Sequence, residues 1–227
     1  MRLDDPNLAS LELAATALGP LLDELVLVGG SATGLLITDL AVPPVRATLD
    51  VDLLTEVTPL SAYYAFCQRL RQRGFVECPE AEVICRWQKG PLKLDVMPTD
   101  ASVLGFTNRW YAEVTRSAQQ HTLPSGAVLR VISAPLFLAT KLESFRSRSE
   151  GDYLHHDMED IVNLLDGRPT IVDEVRAASA KVRDFLYDEF EALLLDTGFD
   201  DRLLWLLAGH TGRKPLVLAR IRRLCGL

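Results

Sequence analysis

The chain has 227 residues and a mass of 25.2 kDa, enough for one or two domains whose cores need neither disulfides nor metals. Apolar residues make up 48% of it and charged residues 24%, which excludes a mainly disordered chain. The net charge is -7, from 24 Lys and Arg against 31 Asp and Glu, which excludes a wholly basic coat for nucleic acid.

The sequence carries no signal for secretion or for a membrane. The four cysteines form no Cys-x-x-Cys pair, so they indicate neither a zinc knuckle nor a disulfide framework. A reducing, cytoplasmic location is therefore expected. The first five residues contain no apolar signal core, and no window reaches about 18 uninterrupted apolar residues. We therefore expect no membrane partner.

Helices and strands are expected to alternate over residues 1–132. Apolar spacing, Gly and Pro positions and strand-like runs define them. In chain order they are a helix over 7–25 interrupted at Gly19-Pro20, strand Leu25–Val28, helix Ser31–Ile37, a loop at 42–45, strand Leu49–Leu54, helix Pro59–Arg73, a hairpin pairing 82–88 with 92–96, and strand Val128–Ile132.

The pattern changes after Ile132. Ser133-Ala134-Pro135 opens a helix, and almost everything from there to Leu227 has a helical period. We therefore predict an α/β core over residues 1–132 and a helical C-terminal region over residues 133–227.

Three aspartates are expected inside strands. Residues two apart in a strand face the same way, so Asp50 and Asp52 should be neighbours, with Val51 buried on the other face. Two like charges about 6–7 Å apart are costly in a sheet unless a cation lies between them. Asp95, inside another apolar strand, can supply a third carboxylate. Such hard oxygen ligands suit Mg²⁺ (or Mn²⁺), which takes further ligands from substrate phosphates.

A glycine turn precedes these aspartates. Gly29, Gly30 and Ser31 follow a strand and open a helix. Backbone N–H groups at such a turn form a nest that binds anions, and the Ser31 hydroxyl can add a donor. A phosphate nest and a carboxylate cage at one sheet edge together indicate phosphoryl or nucleotidyl transfer.

Each of these motifs is ordinary when it occurs alone. A Gly-Gly turn is usually structural, and an Asp-x-Asp often marks a solvated edge. Their combination in this order favours a functional site. Neither a Walker A motif nor a Gly-x-Gly-x-x-Gly is present in the sequence.

Several segments carry a family resemblance, which spans about Val26 to Gly167. They are Val28-Gly29-Gly30-Ser31-Ala32, residues 46–54, Leu94-Asp95-Val96, residues 139–146 and residues 156–161. This order resembles the nucleotidyltransferase fold of the polymerase-β superfamily, and within it the AbiEii/AbiGii-type toxin family, to which the MenT toxins belong. The resemblance implies an α/β (α+β) nucleotidyltransferase fold with a mixed sheet, followed by a helical C-terminal part.

The resemblance also implies roles for individual residues. Asp50 and Asp52 would hold the metal ions, and Asp95 would share one and activate the acceptor hydroxyl. The triphosphate would be held by the turn residues Gly29, Gly30 and Ser31, and its phosphates would be contacted by Lys141. Asp157, or else Asp160, would be the acidic residue of the last motif. Arg46 and Arg146 are equally explained by phosphate contacts and by ordinary salt bridges.

The resemblance further implies a reaction and partners. Members of the family are thought to transfer nucleotides from NTPs, and studied toxins use the acceptor end of tRNA as the target. Many are encoded beside a cognate antitoxin. The expected protein is therefore a metal-dependent nucleotidyltransferase that moves an NMP from an NTP to an acceptor hydroxyl, with the 3' end of tRNA or another RNA as the acceptor.

Other interpretations stay open. The chain can be a catalytically idle module that binds nucleotide or a partner, or a nucleotidyltransferase that modifies a small molecule such as an antibiotic. The spacing of Arg148 and His155 is similar to that of the Arg and His in HEPN-type RNases. His155-His156-Asp157 is suggestive of a metal-dependent HD phosphohydrolase, but the sequence offers no suitable further His and Asp ligands for the metal. Residues 202–227 contain basic but no acidic side chains, which fits either a phosphate backbone or packing against an acidic body.

Overall fold

A computed structural model describes residues 2–56, 60–79, 85–105 and 107–227. The chain divides into two units. The sheet unit contains Leu3–Ala32 and Arg46–Ser133, and the helical unit contains Arg2, Thr33–Val45 and Ala134–Leu227. The domain boundary expected at residue 132 stays a prediction, and the structure adds that Thr33–Val45 belongs to the helical unit.

The described residues form these helices and strands. The helices are α1 (Leu8–Leu18), α2 (Thr33–Leu36), α3 (Leu60–Gln72), α4 (Ala101–Leu104), α5 (Tyr111–Arg116), α6 (Ala134–Arg148), α7 (His156–Gly167), α8 (Ile171–Ala177), α9 (Ala180–Leu195), α10 (Thr197–Leu206) and α11 (Lys214–Leu224). The strands are β1 (Leu25–Val28), β2 (Val51–Thr55), β3 (Val76–Glu77), β4 (Arg86–Lys89), β5 (Leu92–Pro98), β6 (Gln119–Thr122) and β7 (Val128–Val131). Short 3-10 turns span Gly19–Glu24, Gly30–Ala32 and Thr211–Arg213.

The sheet is mixed, and its order is β3-β4-β5-β2-β1-β7-β6. β2 lies parallel to β5 and antiparallel to β1, while β1 lies parallel to β7. β4 and β5 form the predicted antiparallel hairpin, closed by Gly90 and Pro91 between the pair Lys89 and Leu92. The predicted mixed sheet followed by a helical C-terminal part is confirmed.

The central strands are buried because their sequences are apolar on both faces. All four residues of β1 are buried, which is the pattern of a strand covered on both sides. On the sheet unit, the hydroxyl of Tyr63 in α3 donates to the carbonyl of Val96 in β5 at 3.1 Å, and Arg73 Nε donates to the carbonyl of Ala17 at 2.8 Å. These contacts fix α3 and the end of α1 within the unit.

Side-chain caps set the helix starts in the helical unit. The side chain of His155 accepts from the backbone N–H of Asp157 at the start of α7. Ser179 caps α9 and Asp196 caps α10 in the same way. Asp157 and Glu159 lie in the first turn of α7, where the helix dipole favours negative charge.

The helical unit also holds residues 38 and 39 against α7. The backbone N–H groups of Thr38 and Asp39 both donate to the carbonyl of Gly167 at 2.9 Å. A Cβ on Gly167 would lie 2.8 Å from Ile37 Cγ2, so the close approach requires glycine.

Part of the basic C-terminal segment packs against acidic groups. Arg213 pairs with Asp166 at 2.7 Å, and Lys214 pairs with Asp200 at 2.9 Å. Arg220 is buried and donates to the backbone carbonyl of Asp166 at 2.6 Å. Packing therefore accounts for these three residues, while Arg202, Arg222 and Arg223 are exposed.

Some sequence predictions need correction. β2 begins at Val51, so Asp50 lies one residue before the strand and not inside it. The predicted helix start at Pro59 and residues 82–84 of the first predicted hairpin strand lie outside the described residues. β3, β6, α4 and α5 were not predicted: they are short, and β6 has the polar sequence Gln-Gln-His-Thr, which lacks apolar alternation.

Within the described ranges, no helix combines the length and the apolar character needed to cross a lipid bilayer.

Candidate active site

The sheet register brings two of the predicted aspartates side by side. Asp52 in β2 pairs with Asp95 in the parallel strand β5. Paired residues of neighbouring strands project from the same face, so the two carboxyl groups share one face of the sheet. Asp50 lies two residues before Asp52, at the entrance to the same strand. The three predicted metal ligands therefore belong to one region of the sheet unit.

An arginine bridges two of these carboxylates. Arg86 in β4 is the register partner of Asp95 across the hairpin. Its Nε donates to Asp95 Oδ1 at 2.8 Å, and its Nη2 donates to Asp95 Oδ2 at 2.7 Å. The same Nη2 forms a short ion pair with Asp50 Oδ2. The bidentate fork is the strong geometry for an arginine and a carboxylate.

Several cations act on this cluster. Arg86 pairs with Asp50 and Asp95, and the charges of Arg46 and Lys93 also act to lower the pKa of Asp50. Burial and the nearby charge of Asp95 raise the pKa of Asp50, although Arg86 opposes the shift. The hydrogen bond to Asp95 raises the pKa of Arg86 above its usual value, so the guanidinium stays charged. Such a site favours an additional cation.

The glycine turn packs directly against Asp52. Gly29 has a φ of 67°, a left-handed conformation that favours glycine. A Cβ on Gly29 would lie 2.6 Å from Asp52 Cγ and 2.8 Å from Asp52 Cβ. Because Gly29 has no side chain, the side chain of Asp52 can occupy this space. This contact explains why a glycine follows β1 at this point.

Ser31 lies within the 3-10 turn that follows Gly29. It is 0% exposed, and its Oγ has no hydrogen-bond partner among the described residues. A buried hydroxyl without a partner is uncommon, because desolvation costs about 1–3 kcal/mol. The turn itself is closed by a hydrogen bond from the N–H of Ala32 to the carbonyl of Gly29 at 3.2 Å.

These features together fit a divalent cation and a phosphate group. The donor set consists of the carboxylate oxygens of Asp50, Asp52 and Asp95, which are the hard ligands that Mg²⁺ and Mn²⁺ take. Gly29 keeps the backbone beside Asp52 free of a side chain, and Ser31 holds an unsatisfied hydroxyl two residues away. The guanidinium of Arg86 already forms ion pairs with two of the three carboxylates, those of Asp50 and Asp95.

In the helical unit, Lys141 is enclosed by two carboxylates. The residue is 5% exposed, and its Nζ lies 3.0 Å from Asp157 Oδ1 and 2.6 Å from Asp160 Oδ2. Burial by itself lowers the pKa of Lys141, but Asp160 and Asp157 outweigh it, and the net shift is upward. Lys141 is thus a charged lysine in a buried ionic cluster of α6 and α7.

Arg148 completes this cluster from the end of α6. Its Nε and Nη2 donate to Oδ2 and Oδ1 of Asp157, both at 2.8 Å. Burial raises the pKa of Asp157, but Arg148 and Lys141 oppose it, so the pKa falls to about 2. Asp157 is 0% exposed and therefore depends on these two cations for its charge.

This geometry weakens the two other interpretations of the histidine segment. His155 Nδ1 accepts from the Asp157 backbone as a helix cap, at 3.2 Å. The ligand atoms of His155, His156 and Asp157 lie within 4.8 Å of one another, a spacing that a metal ion could use. However, the carboxylate of Asp157 already forms ion pairs with Lys141 and Arg148, which compete with a metal ion for its oxygens. The guanidinium of Arg148 also pairs with Asp157. In an RNase of the HEPN type, Arg148 would act together with His155 instead.

The other two predicted arginines differ in their surroundings. Arg146 forms a 2.7 Å ion pair with the buried Glu189, so the salt-bridge interpretation describes its contact. Arg46 acts on Asp50 through its charge, which lowers the pKa of that carboxyl and so opposes the larger effect of burial. Its carbonyl accepts from Asn7 Nδ2 at 3.1 Å.

The structure thus groups the sequence-predicted residues into two sets. Asp50, Asp52 and Asp95 meet beside Gly29, Gly30 and Ser31 in the sheet unit, while Lys141 meets Asp157 and Asp160 in the helical unit. Sequence reasoning missed Arg86 and the role of Arg148. The signal for Arg86 was the hairpin: positions 86 and 95 are equally distant from the turn Gly90-Pro91.

The fold resembles that of solved proteins. The crystal structure of an antigenic nucleotidyltransferase-like protein from Paracoccidioides brasiliensis matches with a TM-score of 0.54 at 19% identity, covering 92% of this chain and 94% of that chain. The crystal structure of JHP933 from Helicobacter pylori has a TM-score of 0.47 at 13% identity, covering 99% of this chain and 94% of that chain. No protein-family model matches the chain, and no curated protein matches its sequence. The first of these similarities shows a nucleotidyltransferase-like fold.

Proposed function

We propose that this chain is a metal-dependent nucleotidyltransferase that moves an NMP from an NTP to an acceptor hydroxyl. The observation that carries the proposal is that Asp52 and Asp95 share one sheet face, with Asp50 at the entrance to β2, beside Gly29, which must stay free of a side chain. The nucleotidyltransferase-like fold supports it.

Asp50, Asp52 and Asp95 are the residues that would hold Mg²⁺ or Mn²⁺. When bound, the cation offsets the negative charge of the triphosphate and of the developing transition state. The acceptor oxygen attacks the α-phosphorus, the bond to the β-phosphate oxygen breaks, and pyrophosphate leaves. Asp95 accepts the proton of the attacking hydroxyl. The turn of Gly29, Gly30 and Ser31 binds the triphosphate, and Ser31 supplies its buried hydroxyl as a donor.

From the family resemblance, we assign a phosphate-contacting role to Lys141, and the acidic role of the last motif to Asp157 or Asp160. Asp157 and Asp160 both pair with the ammonium group of Lys141 and hold it in place. Arg148, which is half exposed, lies on the same carboxylate and adds a second cation. Charge supplied by fixed groups needs little reorganisation during the reaction, which is how such sites lower barriers.

The acceptor that we propose is RNA, in particular the 3' end of tRNA, with the chain acting as an AbiEii- or MenT-like toxin that has a cognate antitoxin in the cytoplasm. The motif order described above supports the family assignment. The exposed Arg202, Arg222 and Arg223 support a polyanionic acceptor, because no acidic residue occurs in the same stretch.

A second candidate function is an idle module that binds nucleotide or a partner without turnover. Arg86 favours it, because its guanidinium pairs with both Asp50 and Asp95, two of the three proposed metal ligands. The two functions differ in one product: only the enzyme releases pyrophosphate.

The test is label transfer. The protein is incubated with each α-³²P-labelled NTP, Mg²⁺ and total RNA, with purified tRNA and small-molecule acceptors in separate reactions. We expect label on RNA, pyrophosphate release, and a loss of at least about a hundredfold in Asp52→Ala. The control is Asp184→Ala, which removes an exposed carboxylate of α9 and leaves the rate unchanged. Nucleotide binding without transfer to any acceptor supports the idle module instead.

A further inference from the structure

Arg86 shares one nitrogen between two carboxylates. Its Nη2 donates to Asp95 Oδ2 at 2.7 Å and also to Asp50 Oδ2. Its Nε makes a second bond to Asp95 at 2.8 Å, so Asp95 is held twice and Asp50 once. The guanidinium therefore lies where a cation shared by these carboxylates would gain most from their charge.

Arg86 and a divalent cation would compete for Asp50. An arginine keeps its positive charge at every pH at which the protein is folded, so it cannot give way by losing a proton. The side chains of Arg86 and Asp50 are 22% and 26% exposed, which leaves room for movement. Two positive groups on one carboxylate oxygen repel each other strongly in partly buried surroundings.

We propose that Arg86 is a resident counter-cation that gives up Asp50, and keeps Asp95, when a divalent cation binds. This inference rests on the proposed function, because it concerns the same carboxylates. Arg86 is thus a positioning residue: it holds the acidic cluster together while no cation is bound, and it lowers the affinity for the cation that replaces it. Release of Asp50 by Arg86 would be part of loading the site.

Asp50, rather than Asp95, is the carboxylate released. Asp95 lies opposite Arg86 in the antiparallel hairpin, and its side chain is only 7% exposed. The bidentate contact is fixed by the register of two strands. Asp50 precedes β2 and has a single contact with the guanidinium. Breaking that contact needs a rotation of side chains and leaves the sheet register unchanged.

The first experiment measures Mn²⁺ affinity by the EPR signal of free Mn²⁺. Arg86→Gln should bind Mn²⁺ about tenfold more tightly than the unaltered protein, because the competing charge is gone. Arg86→Lys keeps that charge, so its affinity should stay within about threefold of the unaltered protein. Arg69→Gln is the control: Arg69 forms an exposed bidentate pair with Glu24 at 2.6 Å in the same unit, and its loss should change nothing.

A double-mutant cycle assigns the effect to Asp50. The tightening caused by Arg86→Gln should shrink to less than about threefold in an Asp50→Asn background, because the contested carboxylate is gone. A purely structural role predicts the opposite sign, since loosening the cluster weakens binding. Equal or weaker Mn²⁺ affinity in folded Arg86→Gln overturns the proposal.

A measurement on the unaltered protein covers the case in which Arg86→Gln does not fold. With ¹⁵N-labelled arginine, Mg²⁺ should shift the Nη signals of Arg86 and leave its Nε signal, which reports the bond to Asp95, nearly unchanged. Nη signals that do not move at saturating Mg²⁺ refute release of Asp50. If no divalent cation binds to any of these proteins, the metal-dependent function fails as well; if cations bind but Arg86 does not respond, the inference about Arg86 fails alone.

Discussion

The carboxyl group of Asp52 fills the space that a side chain on residue 29 would occupy. A Cβ on Gly29 would lie 2.6 Å from Asp52 Cγ, and the glycine has a φ of 67°. The turn after β1 and the aspartate of β2 are therefore parts of one packed unit. Either residue constrains the other, and a change at position 29 reaches the proposed metal site directly.

Gly29→Ala should destabilise the protein and displace Asp52. We expect a cost of about 2–4 kcal/mol, the sum of left-handed strain and overlap with Asp52. The control is Gly126→Ala: Gly126 has a φ of 88°, but its Cβ would meet nothing within 4 Å. It should cost only the strain, about 1–2 kcal/mol. Urea unfolding measures the loss in free energy of unfolding for both variants. Equal losses would show that Asp52 can move away from residue 29 without an energetic penalty.

Lys141→Met should be strongly destabilising. It leaves the buried carboxylates of Asp157 and Asp160 without the ammonium between them, a loss of about 3–5 kcal/mol. Lys214→Met is the matched change in the same unit, because Lys214 pairs with the exposed Asp200, and it should cost less than about 1 kcal/mol. A small cost for Lys141→Met in the urea midpoint would mean that other groups neutralise this cluster.

Stability should fall as the pH drops from about 6.5 to 4. Burial lowers the pKa of His156 to about 4; Asp157 opposes the shift, and the charges of His155, Lys141 and Arg148 add to it. An unfolded histidine has a pKa of about 6.5, so within this window the unfolded chain binds more protons and gains free energy relative to the folded chain. Below the folded pKa the effect reaches its limit.

The measurement is urea unfolding at pH 7 and pH 4.5 in the unaltered protein, His156→Gln and His210→Gln. His156→Gln should lose less stability between the two pH values than the unaltered protein. His210→Gln, which alters an exposed histidine outside the cluster, should behave like the unaltered protein. Identical pH dependence in all three proteins would contradict the assignment to His156.

The sequence predicts those elements whose form is set by a local pattern of residues. The apolar run Leu25–Val28 predicted β1 with its exact bounds, and the Gly90-Pro91 turn predicted the hairpin of β4 and β5. Both elements follow from local periodicity and turn chemistry. The pairing of Asp52 with Asp95 does not, because it requires β2 to lie parallel to β5, 43 residues further along the chain.

The remaining features depend on tertiary context. Arg86 meets Asp95 only because the two-residue turn fixes the register, and it meets Asp50 only because β5 lies beside β2. The sequence places Lys141 on a helix, but it does not show that α7 supplies two carboxylates that enclose this lysine. Pairings of this kind are set by packing, which composition and spacing leave undetermined.

The most direct measurement is anomalous diffraction from crystals grown with Mn²⁺ and a non-hydrolysable NTP analogue. The account predicts an anomalous peak about 2.0–2.4 Å from carboxylate oxygens of Asp52 and of Asp50 or Asp95, with the analogue's phosphates beside the turn at Gly29. The account is contradicted if the electron density shows the bound NTP analogue but the anomalous peak lies at other side chains, or no anomalous peak lies at Asp50, Asp52 or Asp95.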